Sequence, residues 1–209
     1  MSISGYAELM MNGMVRPENI ADFSGRIYKE ANRLGNLVAD IIQLSRLDEQ
    51  QDAVVSMESV ELDELAKDVV NNLRDHAEKK NISLDYCGIP INIQGVRHVL
   101  YEMLYNIADN AVRYTNPGGH IHIYVGRKGN RPFYRVEDDG IGIPKSEQKR
   151  IFERFYRVDK SHSRQTGGTG LGLAITRSTI AMHHGVIKVF SREGEGTTFS
   201  VRVPLSYIP

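Results

Sequence analysis

The sequence has little cysteine, no excess of charge of either sign and no long apolar run. Its single cysteine, Cys87, has no second thiol to pair with, so we expect a protein of a reducing compartment. Lysine plus arginine equals aspartate plus glutamate, at 26 each, which excludes a global field that would draw the chain to nucleic acid or an anionic membrane. No window approaches the roughly 18 apolar residues of a membrane span, and the opening MSISGYAELM lacks the pattern of a signal peptide. We therefore expect a soluble chain that holds any bound anion in a local site.

A long amphipathic helix is predicted from Pro17 to about Asp48. Its apolar residues recur at steps of three and four, the spacing of a coiled coil or helical bundle. They are Ile20, Phe23, Ile27, Ala31, Leu34, Val38, Ile41 and Leu44. The segment SISGYAELMMNG predicts a shorter helix that ends at Gly13. The longer helix thus carries an apolar stripe without a neighbour: either a second chain covers it, or the first helix is cut short at its N-terminal end.

The pattern changes after residue 50, which predicts a helical hairpin over residues 1–50 and a second domain over 51–209. The 209 residues, 41% of them hydrophobic, are enough for one or two domains. The expected elements are a strand at VVSM, helices over about 62–79, 96–114 and 170–183, and strands at NISLDYC, HIHIYVGR, RPFYRVED, GVIKVFS and TTFSVRVPL. They predict an α+β fold, a two-layer α/β sandwich with helices on one face of a mixed sheet.

The segment YNIADNAVRY, residues 105–114, places the carboxamides of Asn106 and Asn110 on one stripe of a helix. Neutral oxygen ligands suit Mg²⁺ when phosphate oxygens and waters complete its octahedron. Arg113 and Tyr114 extend this face, and an arginine can pair phosphate oxygens in a forked geometry. The alternative is that the asparagines cap or bridge a neighbour and that the arginine is solvated.

Two glycine-rich segments follow this helix. In DDGIGIP (138–144), Asp139 closes a strand, and Gly140 and Gly142 would let a flat ligand approach the backbone while the carboxylate accepts a hydrogen bond from an adenine amino group. In TGGTGLGLAI (166–175), glycines open a helix, whose bare N–H groups and dipole suit phosphate oxygens. Neither is a Walker loop or a dinucleotide fingerprint. Taken singly, each is equally compatible with an ordinary turn.

The loop from Pro144 to Arg164 is rich in basic residues. They are Lys145, Lys149, Arg150, Arg154, Arg157, Lys160 and Arg164. Phe152, Phe155 and Tyr156, within IFERFYRV, would anchor the loop. A basic run is more often a solvated surface, but this combination predicts a mobile lid over a polyphosphate.

In this order and spacing the four segments resemble the catalytic and ATP-binding domain of sensor histidine kinases of two-component systems, a domain of the GHKL type. YNIADNAVRYT is similar to the family's N box, DDGIGIP to its first glycine box, IFERFYRV to its F box and GGTGLGLAI to its second glycine box. The resemblance implies ATP and Mg²⁺ as cofactors. It extends over nearly the whole chain, because residues 1 to about 50 resemble the family's dimerisation helices.

The resemblance also implies a role for each matching residue. Asn110 would bind magnesium, Asn106 would lie near the phosphates, and Asp139 would bind adenine. The other implied nucleotide contacts are Arg113, Tyr114, Gly140, Gly142, Tyr156, Lys160, Gly168, Thr169, Gly170, Leu171 and Gly172. The γ-phosphoryl would pass in line to a histidine nitrogen, with Asn106 and Arg157 as the catalytic residues.

Relatives of this fold that hydrolyse ATP are the gyrase, heat-shock chaperone and mismatch-repair ATPases, which carry a glutamate where this chain has Asn106. A carboxylate can activate water and a carboxamide cannot, so the residue favours phosphoryl transfer over hydrolysis. Two alternatives stay open: an ATPase of the same fold, and a nucleotide-binding dimerisation module without transfer to histidine.

The family's phosphoacceptor lies in an H box, a histidine followed by an acid and then a proline, and none of the seven histidines fits that pattern. SISGYAELM resembles the segment after the H box, so we expect the chain to begin just after it and to be unable to phosphorylate itself at the usual site. The resemblance implies a response regulator receiver domain as partner and a homodimer through the N-terminal helices. We expect the chain to contact neither nucleic acid nor membrane and to be the cytoplasmic part of a larger sensor.

Overall fold

A computed structural model describes residues 2–49, 56–158 and 168–205. Helix α1 (Ile3–Met11) begins after Ser2, whose hydroxyl accepts a hydrogen bond from the Gly5 N–H at 3.2 Å. After Gly13, at a φ of +66°, and a short 3-10 turn (Pro17–Asn19), helix α2 runs over Ile20–Glu49. Both predicted helices are confirmed. Among the described helices, none combines the length and the apolarity needed to cross a lipid bilayer.

The remaining elements form the sheet and the helices that cover it. They are β1 (Glu58–Glu61), α3 (Leu62–Lys79), β2 (Ser83–Gly88), β3 (Asn92–Gly95), α4 (Arg97–Tyr114), β4 (His120–Lys128), β5 (Arg131–Asp138), a 3-10 turn (Arg150–Phe152), α5 (Gly172–Met182), β6 (Val186–Arg192) and β7 (Gly196–Arg202). Five strands make one sheet in the order β2-β4-β5-β7-β6. Strands β2 and β4 are parallel and the other neighbours antiparallel, so the predicted mixed sheet is confirmed.

A separate two-stranded pair departs from the sequence prediction. Of the strand predicted at VVSM, Ser56 and Met57 are not in a strand and directly precede β1, and Val54 and Val55 lie outside the described residues. Strand β3 was not predicted at all. β1 contains two glutamates among its four residues and pairs antiparallel with β3, so its position follows from that pairing and not from apolar content.

The core lies between the inner face of the sheet and helices α3 and α4. Val69 and Leu104 from the helices are fully buried, as are Ile121 and Val136 from the sheet. Along β5, alternate residues face the helices, with Tyr134 and Val136 buried and Arg135 on the opposite face. The predicted two-layer sandwich is therefore confirmed.

A second apolar cluster joins the long helix α2 to this sandwich. Leu44 and Leu47 near the end of α2 are buried against Leu171 and Ile175 at the start of α5. Val99, Met182, Leu37 and Val96 complete the cluster. The last turns of α2 therefore pack directly against the segment that was predicted to hold phosphate.

Candidate functional site

Helix α4 supplies one wall of the candidate site. Asn106, Asn110 and Arg113 are half-buried, along a stripe beside the helix's buried face. Tyr114, at the end of the helix, is 39% exposed. Arg113 also pairs with Asp109 one turn earlier, at 2.5 Å between Nε and Oδ2, which restrains its guanidinium on this face.

The glycine turn before α5 lies directly against that wall. A Cβ at Gly172 would lie 3.1 Å from Oδ1 of Asn106, and one at Gly168 would lie 3.2 Å from Nη1 of Arg113. Gly170 has a φ of +76°, in the left-handed region that glycine adopts readily. The turn thus presents main chain, and not side chains, to the amide and guanidinium groups of α4.

The other two predicted members of the turn contribute differently. Leu171 is fully buried in the cluster with α2, so only its main chain is available to a ligand. The hydroxyl of Thr169 accepts a hydrogen bond from the Leu171 N–H at 3.3 Å. This local bond orders the turn just before the helix starts.

The IFERFYRV segment meets the same turn. The Phe155 N–H donates to the Gly170 carbonyl at 3.0 Å, and Nη1 of Arg157 donates to the Gly168 carbonyl at 2.6 Å. Tyr156 is half-buried, with the Arg150 guanidinium 4.1 Å from its ring centroid. Lys160, also predicted to contact the nucleotide, lies outside the described residues.

Two neighbouring aspartates at the end of β5 point to opposite faces of the sheet. Asp138 accepts a hydrogen bond from the Gly140 N–H at 3.0 Å, and burial raises its pKa to about 6. Asp139 accepts from the His120 N–H at 2.8 Å and pairs with the His120 ring at 3.0 Å. Partial burial opposes these bonds, but they still lower the pKa of Asp139. The carboxylate named from the sequence is therefore occupied with His120.

Asp138 is a candidate site residue that the sequence motifs did not single out. The sequence pattern does indicate Asp138, because side chains alternate between the two faces of the sheet along β5. Tyr134 and Val136 face the helices, so Asp138 continues that row, whereas Asp139 lies beyond it toward the opposite face.

The first glycine box abuts the C-terminal end of α4. The Ile141 N–H donates to the Tyr114 carbonyl at 3.2 Å, and a Cβ at Gly140 would lie 2.4 Å from that same oxygen. Gly142 has a φ of +68°, and a Cβ there would lie 2.0 Å from the Arg192 carbonyl oxygen. Both glycines are therefore required by close main-chain approach.

A set of hydrogen bonds that the sequence does not predict holds the C-terminal part of the first glycine box. Nε2 of Gln148 donates to the Ile143 carbonyl at 3.0 Å and to the Ser191 carbonyl at 2.8 Å. The Ser191 hydroxyl in turn accepts from the Ile143 N–H at 2.8 Å. These bonds tie the box to strand β6.

The donor set of the site limits what it can bind. Within the described part of the chain, no group of three or more histidines, cysteines and acids could hold a metal ion by itself. The amide oxygens of Asn106 and Asn110 suit a hard divalent cation that brings phosphate oxygens with it. Arg113 and Arg157, whose guanidinium groups both lie near Gly168, suit the anionic part of such a ligand.

A mixed-sheet sandwich in which helix carboxamides face a main-chain glycine cradle defines the class of GHKL nucleotide-binding domains. In agreement, residues 95–207 match the family described as "Histidine kinase-, DNA gyrase B-, and HSP90-like ATPase". Residues 1–50 match the "His Kinase A (phospho-acceptor) domain". The chain therefore belongs to the sensor histidine kinases of two-component systems.

Individual proteins show the same likeness. The sensor-like histidine kinase SenX3 of Mycolicibacterium smegmatis is 33% identical over 97% of this chain and 53% of its own length. SenX3 of Mycobacterium tuberculosis is 36% identical over 95% of this chain and 48% of its own length. The solved structure of the histidine kinase AdeS of Acinetobacter baumannii shares the fold, with a TM-score of 0.78 at 19% identity over 97% of this chain and 93% of the chain in that structure. This chain spans about half the length of the two SenX3 relatives.

Proposed function

We propose that this chain is the ATP-binding kinase core of a two-component sensor histidine kinase. It transfers the γ-phosphoryl group of ATP to a histidine, for relay to a response regulator receiver domain. One observation carries the proposal: Asn106 and Arg113 of α4 lie against the glycine turn of residues 168–172, which also contacts Phe155 and Arg157. Three of the four motif segments thus converge on one main-chain cradle.

The cradle fits a magnesium-bound triphosphate. At Gly168 and Gly172 an added Cβ would crowd Asn106 and Arg113 of α4, so glycine at these positions lets the main chain of the turn approach those polar groups closely. Asn110 and Asn106 would hold Mg²⁺, which would neutralise part of the phosphate charge. Arg113 and Arg157 orient the phosphate oxygens, and the N–H groups of residues 168–172 complete the anion site.

Asp138, and not Asp139, is the proposed adenine acceptor. Its carboxyl group lies on the helix side of the sheet beside the glycine box, and its pKa of about 6 leaves most of it ionised at neutral pH. An ionised carboxylate only accepts hydrogen bonds, which matches an exocyclic amino group. Tyr114 and Tyr156 stay proposed neighbours of the nucleotide, and Lys160 stays a prediction from the sequence.

Phosphoryl transfer is favoured over hydrolysis because the position that would activate water holds Asn106, a carboxamide that cannot accept a proton from water. The protein's contribution is then positioning and charge: Arg157 stabilises charge on the transferring group while the main-chain turn holds the phosphates in line.

The long helix α2 supports a homodimer. Leu34 is 42% exposed, Val38 55% and Ile41 45%, and they form the continuous apolar stripe that the sequence predicted. α1 has 9 residues against 30 in α2, so it leaves most of the stripe uncovered. A second copy would bury that stripe, which agrees with a cytoplasmic dimerisation segment of a larger sensor.

Transfer in trans tests this proposal. The chain is mixed with labelled ATP, Mg²⁺ and an acceptor protomer of the same family that carries an H box but an inactivated nucleotide site. Acid-labile label on the acceptor is expected, and Asn110→Ala should abolish it. ATP binding without label on the acceptor would leave a binding module, and steady hydrolysis without label would indicate an ATPase of the same fold.

A further inference from the structure

Lys80, at the end of helix α3, has its ammonium group inserted among the last carbonyls of helix α4. Nζ donates to the carbonyl oxygens of Val112 at 2.7 Å, Arg113 at 3.0 Å and Thr115 at 3.0 Å. The last carbonyls of a helix lack intrahelical partners and carry the negative end of its dipole. An ammonium has three N–H donors, so one side chain satisfies three carbonyls in a single cap.

The Tyr114 carbonyl, which Lys80 does not contact, is bound by the first glycine box. The Tyr114 carbonyl accepts from the Ile141 N–H of the first glycine box at 3.2 Å. The end of α4 therefore lies between two fixed groups, the ammonium of Lys80 and the main chain of the glycine box. Its carbonyls from Val112 to Thr115 are all engaged.

A second set of contacts shows that the turn bearing Lys80 is itself anchored there. The next residue, Asn81, adopts a φ of +55°, and its carbonyl accepts from the Gly118 N–H at 3.1 Å. The Ser83 N–H donates to the Gly119 carbonyl at 2.9 Å. The turn after α3 and the turn after α4 thus form one hydrogen-bonded unit. Burial lowers the pKa of Lys80, so the three carbonyls offset a real desolvation cost.

We infer that Lys80 is a positioning residue for the nucleotide site: by capping α4 from another helix, it sets where Asn110 and Arg113 meet the metal-bound phosphates. An α-helix is stiff over one or two turns, so movement of its capped end carries the side chains of the last turns with it. Site groups must stay within about 0.5 Å of their productive positions, so a small displacement has a large effect. The inference rests on the proposed nucleotide-binding function and deepens it.

The geometry predicts that a change at Lys80 weakens binding of the phosphates more than binding of the adenine. The proposed phosphate and metal groups come from α4, whereas the proposed adenine acceptor, Asp138, comes from β5. Lys80→Met keeps the apolar stem and removes the donors. It should weaken binding of the magnesium complex of the ATP analogue AMPPNP by about tenfold while leaving adenosine binding within about twofold. Lys80→Arg, which keeps a cation and several donors, should restore most of the difference.

The measurement is titration calorimetry for AMPPNP with Mg²⁺ and a competition assay for adenosine, at a temperature where circular dichroism shows every variant folded. Lys79→Met is the matched control, because it removes the same charge from the exposed neighbouring residue. It should bind both ligands like the unmodified chain. Amide exchange of residues 110–118 should be faster in Lys80→Met than in Lys79→Met.

The possible outcomes of these measurements separate the inference from its alternatives. Equal losses for AMPPNP and adenosine in Lys80→Met, or no loss for either, would overturn the inference and leave Lys80 as a stability residue. If Lys80→Met does not fold, Lys80→Gln carries the same test, and unfolding of both variants would also overturn it. Failure of the unmodified chain to bind AMPPNP at all would instead refute the proposed function, and this inference with it.

Discussion

The hydroxyl of Thr169 donates a hydrogen bond to Oδ2 of Asp40 at 2.6 Å, across 129 residues of sequence. Thr169 belongs to the glycine turn of the candidate site, and Asp40 lies on helix α2. Near this bond, Gln43 of α2 also bonds to Glu102 of α4. The long helix therefore contacts the nucleotide turn through a polar pair as well as through the apolar cluster around Leu44 and Leu47.

This pair should show energetic coupling. We expect a double-mutant cycle of Asp40→Ala and Thr169→Val, measured by urea unfolding, to give a coupling free energy of about 1 kcal/mol, because the bond has a charged acceptor and is half-buried. Asp22→Ala is the control, since Asp22 lies far along the same helix and pairs with Arg26 at 2.9 Å. Asp22→Ala and Thr169→Val should be additive. Coupling below about 0.3 kcal/mol for the Asp40 pair would contradict the contact.

The two aspartates of the first glycine box should differ sharply in nucleotide binding. Asp138→Asn places an amide where a carboxylate would accept from adenine, and it should cost about 1.5–3 kcal/mol, or roughly ten- to a hundredfold in affinity. Asp139→Asn should change affinity little, because that carboxylate is engaged by His120. Titration with AMPPNP and with adenosine measures both. A larger effect for Asp139→Asn would return the assignment to the residue named from the motif.

Asp138 should also leave a signature in the pH dependence of stability. Its folded-state pKa is raised to about 6 from 3.8, so the folded state binds the proton more tightly than the unfolded chain does. The resulting stability is fully present below about pH 4 and is lost as pH rises through about 6. The unfolding free energy of the unmodified chain should therefore fall relative to Asp138→Asn over that window. A difference that stays constant from pH 4 to 7 would show that the carboxyl is not desolvated.

Local motifs were enough to predict the helix and the turn of the candidate site but not the contacts that hold them in place. The helix bearing Asn106 and Asn110 and the glycine turn before α5 follow from short-range periodicity and glycine placement. The choice between Asp138 and Asp139 needed the face that each presents, which depends on how strand β5 packs. The contacts of Lys80 with α4 and of Asp40 with Thr169 join residues 32 or more apart in sequence, and no local pattern predicts such pairs.

His183 should make the fold sensitive to acid. Its Nδ1 lies 2.8 Å from the Thr179 carbonyl, and its Nε2 accepts from the Val96 N–H at 3.1 Å, so the buried ring is neutral. Burial lowers its pKa from 6.5, and the stability that the neutral ring contributes is present above that value and is lost as pH falls below it. The unmodified chain should lose more unfolding free energy between pH 7.5 and 5.5 than His183→Gln does.

The exposed neighbour provides the control for that measurement. His184→Gln makes the same substitution at the adjacent, exposed residue and serves as the matched comparison. If His183→Gln and the unmodified chain show the same change in urea midpoint between the two pH values, His183 does not bind protons differently in the folded and unfolded states.

Gly142 should tolerate no side chain, for two separable reasons. Its φ of +68° is unfavourable for any residue with a Cβ, and a Cβ there would lie 2.0 Å from the Arg192 carbonyl oxygen. Gly194, at a φ of +79° with open space around it, has only the first problem. Gly194→Ala should therefore cost about 1 kcal/mol of unfolding free energy. Gly142→Ala should cost about 2 kcal/mol more, because the glycine box must shift away from strand β6.

Urea unfolding of the two variants measures the difference in unfolding free energy, and equal costs would mean that the glycine box can move without a loss of stability. In that case the close approach of the box to β6 would not hold Asp138 in place.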